Sequence, residues 1–300
     1  MNQTSPEPLF FTLAIAATIG YSFQSTLMAS FYRSIDRLSA VAYRGLTLGI
    51  TMLPLLAFVP RESYQQINSL LPAIALASLL AALGNWCAAN AFHYLPIGIA
   101  SALSMSFATL VTILIAHLFL GEALSSIQLL LIAMILCTVI GLGITKSAHL
   151  VLPTRNPRKG LFYSLLFGVF LGSAYSVVGE SSRRFHPLLV AYLWEFGIGI
   201  IAAIVCFARK KTGGSGLQAL PVKRLITLAL FSSPTAVGTG AYATATTLGP
   251  LGIATAIIGT MMVCNTILAR ILYHERLVLK QWTLLLVACA FLALLRLVSA

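Results

Sequence analysis

The amino-acid sequence predicts an all-α polytopic membrane protein with ten transmembrane helices, arranged as two five-helix repeats of inverted topology. Three observations support this fold class. Of the 300 residues, 59% are hydrophobic and only 9% are Asp, Glu, Lys or Arg. The apolar residues form long runs, and the two halves of the chain resemble each other. Because a soluble domain carries roughly 25% charged residues, a chain this poor in charge needs lipid as its main solvent.

The apolar runs are long enough to cross a bilayer as helices. A spanning helix takes about 20 residues, because it rises about 1.5 Å per residue through a hydrocarbon core of about 30 Å. Successive positions are apolar, whereas a membrane barrel needs alternation. The predicted helices of the first half are residues 9–29, 38–59, 70–91, 97–119 and 125–145. Those of the second half are residues 160–180, 187–208, 224–246, 250–272 and 281–299.

An internal repeat divides the chain into two units, residues 9–145 and 160–299, joined by a polar connector at 146–159. Residues 95–102 read LPIGIASA, and residues 249–256 read GPLGIATA. Each unit has an odd number of predicted helices, so the second unit enters the membrane from the opposite side. Inverted repeats are a common plan of secondary transporters, which bind their substrate near the midplane between the repeats.

The repeated segment carries a family resemblance. The stretch from Ala91 to Ala102, followed by a helix and Leu120-Gly121-Glu122, resembles the EamA pattern at helices three to five. The second half repeats this pattern from Ala245 to Glu275. The chain is thus similar over nearly its whole length to two tandem EamA units of the drug/metabolite transporter superfamily. The resemblance implies ten helices around a central cavity and the export or exchange of small metabolites.

One departure from the family pattern concerns the middle of helices four and nine. Members of the family often have a proline in helix four, where residues 105–109 read MSFAT, and residues 259–262 of helix nine read GTMM. Without a proline, a kink at these positions has no obvious cause, although Gly259 could allow flexibility.

These features predict a secondary active transporter that exports or exchanges a small metabolite, such as an amino acid, by alternating access. The alternatives are an uncoupled facilitator and a non-catalytic membrane assembly subunit. The expected partners are the substrate, a proton or counter-substrate, and the lipid of a bacterial inner membrane, with the chain acting as a monomer. We expect no nucleic-acid partner despite the net charge of +12, because the basic residues lie in short segments between apolar runs.

Enzyme, cofactor and metal motifs are absent from the sequence. There is no phosphate-binding loop, no HExxH and no GxSxG. The five cysteines each stand alone inside an apolar run, as buried structural cysteines do. The sequence therefore predicts neither an enzyme nor a cofactor or metal site, and the lack of a nucleotide-binding motif argues against a primary pump.

Ionisable residues inside predicted spans are costly, so they are functional candidates. Glu195, near the middle of helix seven, could carry a proton or bind a cation, or it could form a structural ion pair with Arg44. Arg44 could bind a substrate carboxylate through two hydrogen bonds or extend to the lipid headgroups. Glu122 and Glu275 are expected to cap the starts of helices five and ten.

Neutral polar and aromatic side chains complete the predicted site. Buried amides and phenols need hydrogen-bond partners, which a hydrated cavity or a neighbouring helix can supply. The candidates, with Glu195 and Arg44, are Tyr21, Gln24, Asn85, Trp86, Tyr175, Tyr192, Trp194 and Asn265.

Overall fold

The computed structural model describes residues 6–122, 125–144, 156–274 and 278–299, and every regular element in these ranges is helical. A helix satisfies its own backbone hydrogen bonds, which an apolar environment requires. The first half contains α1 Pro6–Ser34, α2 Arg37–Thr51, α3 Ile67–Tyr94, α4 Ile97–Phe119 and α5 Ser126–Ile144. The second half contains α6 Pro157–Arg184, α7 Pro187–Lys211, α8 Val222–Ser232, α9 Pro234–Leu248, α10 Leu251–Gly259, α11 Met261–Tyr273 and α12 Leu279–Ser299.

Several of these helical stretches have the length and composition of membrane spans. In the described part of the chain, five qualify: Arg61–Tyr94, Ile97–Phe119, Pro157–Arg184, Pro187–Lys211 and Leu251–Tyr273. Two shorter apolar stretches, Ser126–Ile135 and Leu279–Leu295, lie within α5 and α12. The all-helical class is therefore confirmed, and five of the ten predicted spans have the length and composition of membrane helices.

The second predicted helix, residues 38–59, is shorter than expected. Helix α2 ends at Thr51, and the chain continues as two 3₁₀-helices, Leu53–Phe58 and Arg61–Gln66. Pro54 explains the change, because proline has no N–H to donate to the preceding turn and its ring clashes with that turn's carbonyl. The two 3₁₀-helices connect α2 to the start of α3.

The eighth and ninth predicted helices are each divided into two. Pro234 separates α8 from α9, again by removing a backbone donor. The boundary between α10 and α11 falls at Thr260, directly after Gly259, with no proline present. Here the Thr260 hydroxyl donates to the Ile257 carbonyl at 2.6 Å and competes with the regular helical bonding. Its counterpart in the first half, α4, is continuous from Ile97 to Phe119.

The main helix contacts join one half of the chain to the other. Helix α2 packs on α7, α5 on α12, and α4 on α6, α10 and α11. Helix α3 packs on α6, and α9 packs on α1. Two of these contacts are so close that only glycine fits. A Cβ added at Gly45 of α2 would collide with the backbone of Gly199 in α7, and one added at Gly20 of α1 would lie 2.6 Å from the Gly238 nitrogen in α9.

Candidate functional site

A cavity lies where the two halves meet, with about 630 Å³ of empty space when its opening to solvent is included. Its walls come from α1, α2, α3 and α4 of the first half and from α6, α7 and α11 of the second. Among the described residues that line it, Arg44 and Glu195 are the ionised pair. The aromatic part of the lining consists of Tyr21, Tyr32, Phe92, Phe167, Tyr175 and Trp194. Its neutral polar part consists of Gln24, Ser25, Asn85, Ser101 and Ser104.

The ion pair joins α2 to α7 across the repeat boundary. Arg44 Nη1 lies 3.0 Å from Glu195 Oε2, and Nη2 lies 3.4 Å from Oε1. Both side chains are deeply buried, with 4% and 1% of their surfaces exposed. The Thr239 hydroxyl of α9 also donates to Glu195 Oε1 at 2.6 Å, so three helices contribute to this polar centre.

The hydrogen bonding of this pair is incomplete. Nη1 and Oε2 approach closely, but they are not aligned as a hydrogen bond, and Arg44 Nε has no partner in the described protein. Desolvating two charges costs several kcal/mol each, and the attraction offsets this cost only when the remaining donors and acceptors are satisfied. The pair is therefore better suited to receiving a ligand than to stabilising the fold.

Repeat-related tyrosines meet beside the ion pair. The rings of Tyr21 and Tyr175, which occupy equivalent positions in the two halves, have centroids 6.2 Å apart. The Tyr21 hydroxyl donates to Thr239 at 3.1 Å, so it supports the residue that holds Glu195. Trp194 packs edge-on to Tyr175 at 5.8 Å and donates through Nε1 to the Ala77 carbonyl at 3.3 Å. These contacts hold the aromatic wall in place.

Seven of the ten predicted site residues line the cavity, and the structure places three elsewhere. Tyr192 is tilted against Phe196 with centroids 5.9 Å apart, away from the lining. Trp86 lies edge-on to Tyr163 at 5.8 Å, and 37% of its surface is exposed. Asn265 is fully buried one step behind the cavity wall.

Asn265 connects helices around the cavity. Its Nδ2 donates to Ser101 at 2.9 Å, and its Oδ1 accepts from Ser25 at 3.1 Å and from Thr26 at 3.2 Å. The amide thus ties α11 to α4 and α1 through two serines of the lining. The Asn265 amide therefore bonds to neighbouring helices, which is one of the two roles predicted for a buried amide.

Some functional candidates lack a clear signal in the sequence. Thr239 lies in a helix rich in Ala, Gly and Thr, where several threonines follow similar neighbours. Tyr32 lies close to the end of α1, where an interfacial tyrosine is the ordinary expectation. Only the packing of α9 against α7, and of α1 against α9, brings these side chains to Glu195 and the cavity.

The expected role of Glu122 needs correction. Helix α5 is capped by Ser125 and Gln128, whose side chains and backbone N–H groups bond reciprocally at 3.2 and 2.7 Å. The Glu122 carboxylate instead accepts from the backbone N–H groups of Leu251 at 2.8 Å and Gly252 at 3.1 Å. It therefore caps α10 of the other half, whose own N-cap residue is a proline without a side-chain acceptor. Glu275 lies outside the described residues.

Glu122 also belongs to an ion-pair network at one end of the bundle. Arg183 Nη2 lies 2.8 Å from Glu122 Oε1, and Arg183 Nε donates to the Thr246 carbonyl at 3.1 Å. The network ties the connection after α4 to the end of α6 and the corner between α9 and α10. It holds the two halves together at this end.

A second network lies in the connection between α1 and α2. Asp36 accepts from Arg209 Nη2 at 2.8 Å and from the backbone and hydroxyl of Ser39, both at 2.9 Å. Burial raises the pKa of the Asp36 carboxyl, but the hydrogen bonds from Arg209 and Ser39 outweigh it and hold the pKa below its usual value. The ionised carboxylate is therefore the form that joins α2 to the end of α7.

Comparisons with known proteins agree with this architecture. The family described as the EamA-like transporter family matches residues 9–144 and 158–297. A solved chain described only as the crystal structure of a protein is similar with a TM-score of 0.67, at 13% identity over 98% of this chain and 97% of that chain. At this identity the similarity shows the fold alone. No curated protein matches the chain.

Proposed function

Because the chain belongs to the EamA-like transporter family, we propose that it is a secondary active transporter that exports or exchanges a small metabolite, such as an amino acid. In this proposal ten spans form two inverted five-helix repeats in a bacterial inner membrane. The broken pairs α8–α9 and α10–α11 each count as one span. The substrate crosses through the central cavity by alternating access, and a monomer is sufficient because the chain encloses the cavity by itself.

The observation that carries the proposal is the buried pair of Arg44 and Glu195 in the cavity wall. One partner comes from each half, on α2 and α7, so a relative movement of the halves would change the distance between them. Buried charges in a membrane protein mark substrate or ion pathways. The incomplete hydrogen bonding of this pair supports the same role.

Counterflow in proteoliposomes tests the proposal. Purified protein is reconstituted with an unlabelled amino acid, nucleotide or S-adenosylmethionine inside, and the labelled compound is added outside at a lower concentration. A transporter of that compound transiently accumulates the label above its equilibrium level, and protein-free liposomes do not. An absence of exchange across the panel, from protein with an intact melting transition, would favour the assembly-subunit alternative.

Coupling is tested with Glu195→Gln. If Glu195 carries the coupling proton, the variant loses uphill accumulation driven by a pH gradient but retains exchange. If the protein is an uncoupled facilitator, the variant and the unchanged protein equilibrate the substrate equally, and neither accumulates it.

A further inference from the structure

The two charged residues of the cavity wall have spare hydrogen-bonding capacity. Glu195 faces the two terminal nitrogens of Arg44 at 3.0 and 3.4 Å, which leaves Nε buried and without a hydrogen-bond partner among the described residues. A guanidinium has five N–H donors in a planar fork, so it can bind a carboxylate at each of two edges. Arg44 therefore has the donors for a second carboxylate while it retains Glu195, and binding there requires a side-chain shift that opens Nε to the cavity.

The rest of the lining indicates the body of such a ligand. Tyr32 and Phe92 stack with centroids 6.2 Å apart, and Phe167 and Trp194 also line the cavity. Rings of this kind bind apolar and aromatic groups, and the few polar groups of a pocket fix orientation. A ligand with one carboxylate and an apolar or aromatic body matches this distribution.

Charge balance limits how such a ligand can bind. The described lining holds one cation and one anion, so an added carboxylate would leave an excess negative charge in a buried site. Among the described residues, the other titratable groups that interact with Glu195 are Tyr21 and Tyr32 of α1 and Tyr175 of α6. Phenols are neutral near pH 7. The positive charge that restores neutrality must therefore arrive with the ligand.

Glu195 is placed to receive that charge as a proton. Its Oε2 lies beside Arg44 without a hydrogen-bond partner among the described residues, and a proton can bind there without additional volume. In the structure, the Thr239 hydroxyl lies 2.6 Å from Oε1 and donates to the carboxylate. Because a hydroxyl also accepts hydrogen bonds, Thr239 can keep its contact with a protonated Glu195.

We propose that the cavity binds a monocarboxylate with an apolar or aromatic body together with one proton. The ligand carboxylate pairs with the Nε edge of Arg44, and the proton passes from solution to the carboxylate of Glu195, so the loaded site has the same net charge as the empty one. This inference deepens the proposed function and rests on it for the premise that the cavity is the substrate site.

Binding measurements on the full-length protein in detergent micelles test the inference, with 3-phenylpropionate as the probe. Binding is preferable to flux because a weak acid of this kind crosses a bilayer unaided. Tryptophan fluorescence reports occupancy, since Trp194 lines the cavity, and a pH indicator in weakly buffered solution reports proton uptake. We expect one proton taken up per bound anion and a Kd that rises about tenfold per pH unit at alkaline pH, as linkage requires.

Two variants and a matched control separate the roles. Glu195→Gln should bind the probe with no proton uptake and a Kd independent of pH, whereas Arg44→Gln should lose binding. Glu62→Gln, at an exposed position in the 3₁₀-helix before α3, removes the same charge and should behave like the unchanged protein. The proton uptake of the unchanged protein needs no variant, so the test stands even if a variant does not fold.

Three results would overturn the inference: binding without proton uptake, no binding of the probe, or tight binding of L-phenylalanine but not of 3-phenylpropionate. The last result would mean that a ligand ammonium takes the place of the proton. If counterflow still shows exchange of another metabolite, the transport function stands and this inference fails. Proton-linked binding without any counterflow would mean that the inference stands and the transport function fails.

Discussion

Removing Glu195 alone should destabilise the fold more than removing both members of the buried pair. With 4% and 1% of their side chains exposed, Arg44 and Glu195 have almost no solvent to screen them. Loss of one partner from a buried ion pair costs about 3–5 kcal/mol, because it leaves an uncompensated charge. Replacement of both by apolar residues of similar volume is often neutral or stabilising.

The contacts in the structure predict different losses of unfolding free energy for the two single variants. Glu195→Leu leaves a guanidinium that cannot lose its proton and has no other hydrogen-bond partner among the described residues, so we expect a loss of about 5 kcal/mol. Arg44→Met leaves a carboxylate that keeps the hydrogen bond from Thr239 and can take up a proton, so we expect about 3 kcal/mol. The double variant should lie within about 1 kcal/mol of the unchanged protein.

Equilibrium unfolding in mixed micelles provides the measurement. The free energy of unfolding is obtained from helical circular dichroism during titration with dodecyl sulfate, and the four proteins form a double-mutant cycle. The reasoning is refuted if Glu195→Leu is as stable as the unchanged protein, since Arg44 would then be solvated. It is also refuted if the double variant is as unstable as Glu195→Leu, since lost packing rather than unpaired charge would then dominate.

Three further predictions concern contacts outside the pair. Glu122→Ala should lower the free energy of unfolding by about 2 kcal/mol, because the N-terminus of α10 loses its charged cap; an unchanged value in the same titration would contradict this role. Gly45→Ala should cost about 1–3 kcal/mol, because its Cβ would meet the backbone of α7. The control Gly240→Ala, whose Cβ would lie 3.6 Å from its nearest neighbour, should cost less. The pKa of Asp36 is lower in the folded protein than in the unfolded chain, so its pairing with Arg209 stabilises the fold above the unfolded pKa and is lost as pH falls through the folded pKa. Asp36→Asn should therefore make unfolding less sensitive to pH below about 4, and an unaltered pH profile would contradict the pairing.

The sequence alone was sufficient for the all-helical membrane class and for the central charges. A low charge content and long apolar runs require lipid as solvent and helix as backbone structure, whatever the packing. The cost of burying a charge in lipid singled out Glu195 and Arg44 without knowledge of their neighbours. The sequence also suggested their ion pair as one of two interpretations, and the structure shows the two side chains in contact.

The ends of several helices could be predicted only in part. Pro54 and Pro234 are visible in the sequence, but a long apolar run hides their effect when hydrophobicity alone sets the boundaries. The break at Thr260 has a weaker signal, because a threonine hydroxyl that bonds to a helical carbonyl often leaves the helix intact. Glu122 was assigned to the nearest helix in sequence, although the donors it binds belong to α10.

The sequence determined the features that depend on the solvent. Composition dictates how much of the chain must lie in lipid and which residues are costly there. Only the tertiary structure decided which side chains share the cavity. Tyr192 and Trp194 are close in sequence, yet one packs against Phe196 and the other lines the cavity, because helical side chains point in directions about 100° apart per residue. Thr239 reaches Glu195 from a helix of the same half, and Arg44 reaches it from the other half. Contacts between distant segments depend on how whole helices pack, and this information is not local to any stretch of the chain.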